Sequence, residues 1–188
     1  MKDARENWRQ KQPGLDGKRL VFIDETGLNT KMTRLYGRSQ KNQRLVAHVP
    51  HGHWRSTSMI CALRSDGVVA PFLIEGAVDA QVFSAYLHHV LGPELHPGDM
   101  VILDNLSTHK IAAVKTLIEA RGASVQYLPA YSPDLNPIKM AFAKLKAYLR
   151  QAAARTTEQL QAAVVNALAS FLPDHCHAFF RHANYGSI

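Results

Sequence analysis

Two things are scarce in this sequence, and each scarcity excludes a class of protein. Cysteine occurs twice, as Cys61 and Cys176, far apart and with no CxxC partner. That rules out a disulfide-stapled scaffold and makes a reduced cytosolic protein the simplest expectation. Long apolar runs are missing too. None approaches the roughly 18–20 residues that would span a bilayer, and the leading MKDARENWRQKQPG has no apolar stretch of the kind a secretory signal needs. No membrane partner is therefore expected. What remains is 188 residues, 46% hydrophobic and 20% charged, enough for one globular domain with its own core.

Acidic residues are also outnumbered, 15 against 22 Lys and Arg, for a formal net charge of +7. Such a balance favours a polyanionic partner, nucleic acid first, with a solvated basic surface as the plain alternative. Eleven of the 22 cations fall in residues 1–45, and the stretch from Lys139 to Arg155 holds no acid at all.

Periodicity gives the organisation. Residues 1–18 read as a polar lead-in, and 173–188 as a partly helical, then loose tail, around a domain over 19–172. RLVFIDE, from Arg19 to Glu25, is a buried strand ending in two acids. Residues 27–55 have no period and read as loop. STSMICALR and VVAPFLIEG flank the turn Ser65–Gly67 and form a hairpin. Asp79 caps a helix whose Val82, Phe83, Tyr86, Leu87 and Val90 share one face. MVILDN is a second strand ending in an acid, followed by a helix from about His109 to Glu119 and the strand VQYLP. Asn136 and Pro137 suit the N-cap and first turn of a long helix, and Thr156 or Thr157 starts another. A meander followed by alternating strands and helices implies an α/β fold: a mixed five-stranded sheet, antiparallel meander plus parallel strands, with helices on both faces. The order matches ribonuclease H-like folds, in which the first strand lies beside the fourth.

The two strand-end aspartates, Asp24 in VFIDET and Asp104 in VILDNL, are the candidate chemistry. Strand ends are where α/β sheets place their sites, although most single strand-end aspartates are turn or cap residues. On neighbouring strands the two carboxylates would repel each other unless a cation sat between them. Mg²⁺ is commonly held by one or two carboxylates, and a pair of such ions can activate water against a phosphodiester.

VFIDETG, GHWRSTSMICAL, VILDNLSTHK and YLPAYSPDLNPIKMAFAKLK together resemble the catalytic domain of DDE transposases, in the bacterial insertion-sequence branch of the Tc/mariner superfamily. The resemblance runs from about Arg19 to Arg155. It implies cut-and-paste transposition, with metal-dependent cleavage of DNA and transfer of the freed 3′-hydroxyl. Two Mg²⁺ or Mn²⁺ ions would be held by Asp24, Asp104 and a glutamate on the later helix. It also implies element-end and target DNA as partners, a possible homodimer, and a bacterial cytoplasmic, nucleoid-associated setting. About 18 residues precede the first strand, too few for the family's N-terminal helix-turn-helix region.

In the family 34 residues separate the glutamate from the second aspartate; here that spacing leads from Asp104 to Lys139. Lysine cannot ligate Mg²⁺, and near a helix N-terminus it also opposes the macrodipole. Three accounts stand open. Either the copy is decayed or deliberately inactivated, or Glu25 or Asp134 substitutes as ligand. In the third, two aspartates suffice and Lys139 contacts phosphate. The function expected is a transposase catalytic domain with impaired activity. The alternatives are an inactive DNA-binding or assembly protein of the same fold, or another ribonuclease H-like nuclease.

Asn105 and His109 are candidates to support Asp104 or to meet DNA. Arg55 and the helix cations Lys144, Lys146 and Arg150 are candidate backbone contacts, and Trp54 reads as a packing residue. His51 and His53, or His175 and His177 with Cys176, invite a zinc reading that the lack of a second cluster disfavours.

Overall fold

The computed structural model describes residues 2–34, 36–106 and 112–185. Strands β1 (Leu20–Asn29), β2 (Ser56–Leu63) and β3 (Val68–Glu75) form an antiparallel meander. Strands β4 (Met100–Leu103) and β5 (Ser124–Tyr127) continue the sheet in parallel on the other side of β1. The order is β3-β2-β1-β4-β5. The first strand does lie beside the fourth, as expected.

Strand alternation sends neighbouring side chains to opposite faces, and each face has its own core. Leu20, Phe22 and Leu28 pack with Trp8 of α1 (Lys2–Lys11), with Phe142 and Leu145 of α4 (Ile138–Ala152), and with Leu160 of α5 (Thr157–Ala169) and Phe180 of α6 (Pro173–His182). Val21 and Ile23 face the other way. They meet Phe83 and Tyr86 of α2 (Ala80–Tyr86) and Val114 and Ile118 of α3 (Ala112–Glu119).

Several local expectations hold. Arg64 N bonds Gly67 O across the hairpin turn. Asp79 caps α2 through Val82 N at 2.8 Å, and Thr156 caps α5 through Gln159 N. Gly122 follows α3 with a φ of +73°, the left-handed geometry that glycine adopts freely.

Others need correction. β1 does not stop at Glu25. Its pairing with β4 ends at Phe22, but the ladder with β2 carries it on to Asn29. The helix after Asp79 is α-helical only to Tyr86; Leu87–Leu91 form a wider π-type turn that leads into Gly92-Pro93. Residues 2–11, expected to be a plain lead-in, form α1, with Trp8 buried. The tail is tied in as well: Cys176, Phe180, Ala183 and Tyr185 are all buried. Gln12 bonds Ala183 O at 2.8 Å, so the two ends of the chain hold each other. No described helix is long and apolar enough to cross a membrane.

Candidate active site

Asp24, in the middle of β1, and Asp104, one residue past the end of the parallel neighbour β4, stand at matching register. Leu20, Val21 and Phe22 pair in register with Met100, Val101 and Ile102, and the same offset sets Asp24 beside Asp104. Strands in a sheet lie about 4.8 Å apart. Both aspartates share alternation parity with Phe22 and Ile102, so both face the α4 side. The β1–β4 ladder ends just before them, which opens the sheet at that point.

The elements that complete the site come from the loop before α4. Asp24 is 2% exposed. Its Oδ1 accepts from Glu25 N at 2.8 Å, and its Oδ2 from Asn136 Nδ2 at 2.9 Å. The same Oδ2 lies 2.6 Å from Lys139 Nζ. Asp104 is half-buried, and its Oδ1 accepts from Leu106 N at 3.1 Å. Beside this pair opens a cleft of about 350 Å³, lined by Asp104, Asn105, Leu106, Tyr131, Asn136 and Lys139 among others. Burial raises the Asp24 carboxyl above its ordinary value; Lys139 opposes that shift and the Asp104 charge adds to it.

Asn136 was expected to cap α4. Its backbone carbonyl does accept from Lys139 N, at 3.1 Å, but its side chain is given to Asp24 and the helix start has no side-chain cap. Asn136 Oδ1 is buried with no hydrogen-bond partner among the described residues. The loop itself is clamped from a distance. Arg5 of α1 bonds both oxygens of Asp134, at 2.9 and 2.7 Å, and also Ser132 Oγ and Tyr131 O. Tyr185 OH accepts from Trp8 Nε1 at 2.9 Å and donates to Leu135 O at 2.7 Å. Reading the sequence missed Asn136, Arg5, Trp8 and Tyr185. The one available signal was Trp8 and Gln12, four residues apart in a polar segment.

Asp134 is therefore not a substitute ligand. It is committed to Arg5, with Arg9 at 3.5 Å, and the Arg5 hydrogen bond holds its carboxyl below the usual range. Glu25 alternates to the face opposite Asp24, where its charge adds to the burial that raises the Tyr86 hydroxyl.

The remaining candidates separate. Asn105 lines the cleft, with its Oδ1 buried and without a partner among the described residues. His109 lies outside the described residues. Arg55 stands away from the cleft, 3.6 Å from Glu75 across the β2–β3 edge. Lys146 and Arg150 line a second cleft together with Gly27 and Lys139. Burial, then Arg150 and Lys139, lower the Lys146 ammonium below its ordinary range. Lys144 is elsewhere: its Nζ bonds Ser170 O at 3.1 Å, meets His175 Nδ1 at 2.7 Å and sits over the Phe171 ring. It fastens α4 to the segment joining α5 and α6. Trp54 is half exposed and carries Lys31 over its ring rather than packing inward. Cys176 is buried, which pushes its thiol up to about 11, and His175 is taken by Lys144; both facts oppose the zinc reading.

The donor set does not fit a two-ion metal centre. Two aspartates supply the oxygens a divalent cation takes, but the third position presents an ammonium already bonded to one of them. Among the described residues no three His, Cys, Asp or Glu side chains group so as to hold a metal ion.

Residues 19–161 match a family model described as DDE superfamily endonuclease. No curated protein matches the sequence. Among solved structures, a Mos1 transposase paired-end complex with left transposon end is similar at 17% identity and a TM-score of 0.77, covering 97% of this chain and 57% of that one. The Mos1 mariner paired-end complex with Mn gives 20% identity and a TM-score of 0.76, over 97% and 58%. The catalytic domain of Mos1 mariner transposase gives 16% and 0.69, over 97% and 86%. The chain thus spans a little over half the length of the full transposase chains it resembles.

Proposed function

Because the chain belongs to the DDE superfamily endonucleases, we propose that it is the catalytic domain of a cut-and-paste DNA transposase whose strand cleavage and strand transfer are impaired by Lys139. The observation that carries this reading is the facing pair Asp24 and Asp104 on adjacent parallel strands, with Lys139 bonded to Asp24 where a third carboxylate belongs. The partners are element-end and target DNA, bound by a homodimer in a bacterial cytoplasm in association with the nucleoid. The similar Mos1 structures hold transposon-end DNA and, in separate cases, Mn and Mg, which supports DNA as this chain's ligand and a divalent ion as the one the site would take with a glutamate at 139.

The chain's own residues would act as follows. Lys146 and Arg150, in line with Lys139 along α4, hold a DNA backbone beside the sheet opening, where charge suffices without sequence reading. Asn136 and the Glu25 amide fix the Asp24 carboxylate, and Asn105 borders the cleft next to Asp104. With a glutamate at 139, divalent ions would supply the activation of water and the stabilisation of the leaving oxygen. A second reading, a non-catalytic DNA-binding or assembly protein of the same fold, is favoured by the Asp24–Lys139 bond itself.

Plasmid nicking in Mn²⁺ tests the proposal. The chain as it stands should be silent, Lys139→Glu should nick, and Lys139→Glu with Asp104→Ala should not. Nicking by the unaltered chain that disappears in Asp24→Ala would remove the claim of impairment. A folded Lys139→Glu that binds DNA and never nicks would favour the non-catalytic reading.

A further inference from the structure

We infer that the Lys139 ammonium is the resident cation of the carboxylate site, so that this chain holds Asp24 and Asp104 together without recruiting a divalent ion. The inference rests on the reading of these residues as a DDE-type site and goes beyond it. Impaired catalysis says only what the site no longer does; a resident cation says what keeps it intact.

Two aspartates on adjacent strands, one of them with a side chain only 3% exposed, need a positive charge close by. Lys139 supplies it at 2.6 Å from Asp24 Oδ2. The other donors complete the shell: Asn136 Nδ2 shares Oδ2, and Glu25 N takes Oδ1. A divalent ion at 2.0–2.1 Å from the carboxylate oxygens would have to expel the ammonium from this shell or sit beside it.

The lysine is also placed at little cost. Its side chain is 42% exposed, so the ammonium keeps part of its hydration while its partner is buried. Its backbone is fixed in the first turn of α4, where Lys139 N bonds Asn136 O. The same residue that holds Asp24 from the side therefore also sets the start of the lysine's helix. Asp134 is committed to Arg5; Glu25 borders the second cleft together with Lys139 but alternates along β1 to the face opposite Asp24.

Thermal unfolding with EDTA or with millimolar Mn²⁺ tests this on the unaltered chain, Lys139→Glu, Lys139→Gln and Asp24→Asn. The unaltered chain should melt at the same temperature in both. Lys139→Glu should melt lower in EDTA and rise by about 5–10 °C once Mn²⁺ stands at a hundredfold excess over its Kd. Lys139→Gln should melt about 5 °C or more below the unaltered chain in either condition, because Asp24 loses its counter-charge. A rise of the unaltered chain in Mn²⁺ that Asp24→Asn removes would overturn the inference and leave the DDE reading standing. A Lys139→Gln that melts with the unaltered chain would overturn it as well. If folded Lys139→Glu is also blind to Mn²⁺, the carboxylate-site reading fails and takes this inference with it. Should Lys139→Glu not fold, the unaltered chain and Lys139→Gln still decide.

Discussion

Asn136 gives its side-chain amide to Asp24 Oδ2 at 2.9 Å instead of capping the helix it precedes. One residue thus joins the loop before α4 to the middle of β1, 112 positions away in sequence. Asn136→Ala should remove a hydrogen bond to a buried carboxylate, worth about 1.5–3 kcal/mol for a charged acceptor. Part of that loss is offset because the Asn136 Oδ1, buried without a partner among the described residues, goes with it. Urea unfolding should show a midpoint shift without a change in slope. A variant as stable as the parent would mean that Lys139 and the Glu25 amide suffice for Asp24.

Tyr185 bridges three segments through one buried hydroxyl, accepting from Trp8 Nε1 and donating to Leu135 O. Tyr185→Phe leaves an indole N–H and a carbonyl buried without that partner, at about 1–3 kcal/mol each. Trp8→Phe removes only the first. The double variant should cost clearly less than the two single losses added together, since the contacts are shared. Strict additivity in a double-mutant cycle by denaturant unfolding would show that the bridge does not couple α1 to the loop.

Arg64 and Asp99 form the best-buried ion pair described, at 2.6 Å with side chains 12% and 2% exposed. Burial alone would raise the Asp99 carboxyl, but the Arg64 hydrogen bond and the His96 amide outweigh it and leave it lowered. Asp99 therefore holds its proton less tightly in the folded chain than in the unfolded one. The stability it contributes is present above the ordinary carboxylate range, near pH 4, and is lost as pH falls through the folded value. Asp99→Asn should cost about 3 kcal/mol at pH 7 by leaving Arg64 without its charge partner. It should also flatten the decline in stability below pH 4. Parallel acid-unfolding curves for parent and variant would contradict the assignment.

The sheet was legible because its signals are local: apolar runs cut off by acids, a Ser-Asp-Gly turn, and a helix opened by Asp79. The site was half legible. Asp24, Asp104 and the 34-residue interval to position 139 can be counted, and β1–β4 register then brings the aspartates together. Asn136 was misassigned because an asparagine before a helix satisfies the capping pattern equally well whether its amide turns to the helix or to a buried carboxylate. The terminal helix was missed because its residues are polar except for Ala4 and Trp8, and one small residue and one aromatic set no period. Its role depends on contacts with residues more than a hundred positions away, which no window along the chain can contain.

Lys144 and Lys146 looked equivalent in the sequence, yet they stand on different sides of α4, and helix geometry alone separates them. At 100° per residue, Lys146 and Arg150 fall within about 20° of the direction of Lys139, whereas Lys144 is about 140° away. The first three form a line about 16 Å long; the fourth is bonded to Ser170 and His175. Binding of a random DNA duplex, followed by anisotropy across salt concentrations, should distinguish them. Lys146→Ala and Arg150→Ala should each weaken binding and reduce the salt slope by about 0.9, the loss of one phosphate contact. Lys144→Met should leave the slope unchanged and lower the melting temperature instead, since it frees the Ser170 carbonyl and detaches α4 from the α5–α6 connection. Equal losses of slope from Lys144 and Lys146 would mean that DNA wraps the helix rather than following its Lys139 edge, and the proposed line of contacts would have to be abandoned.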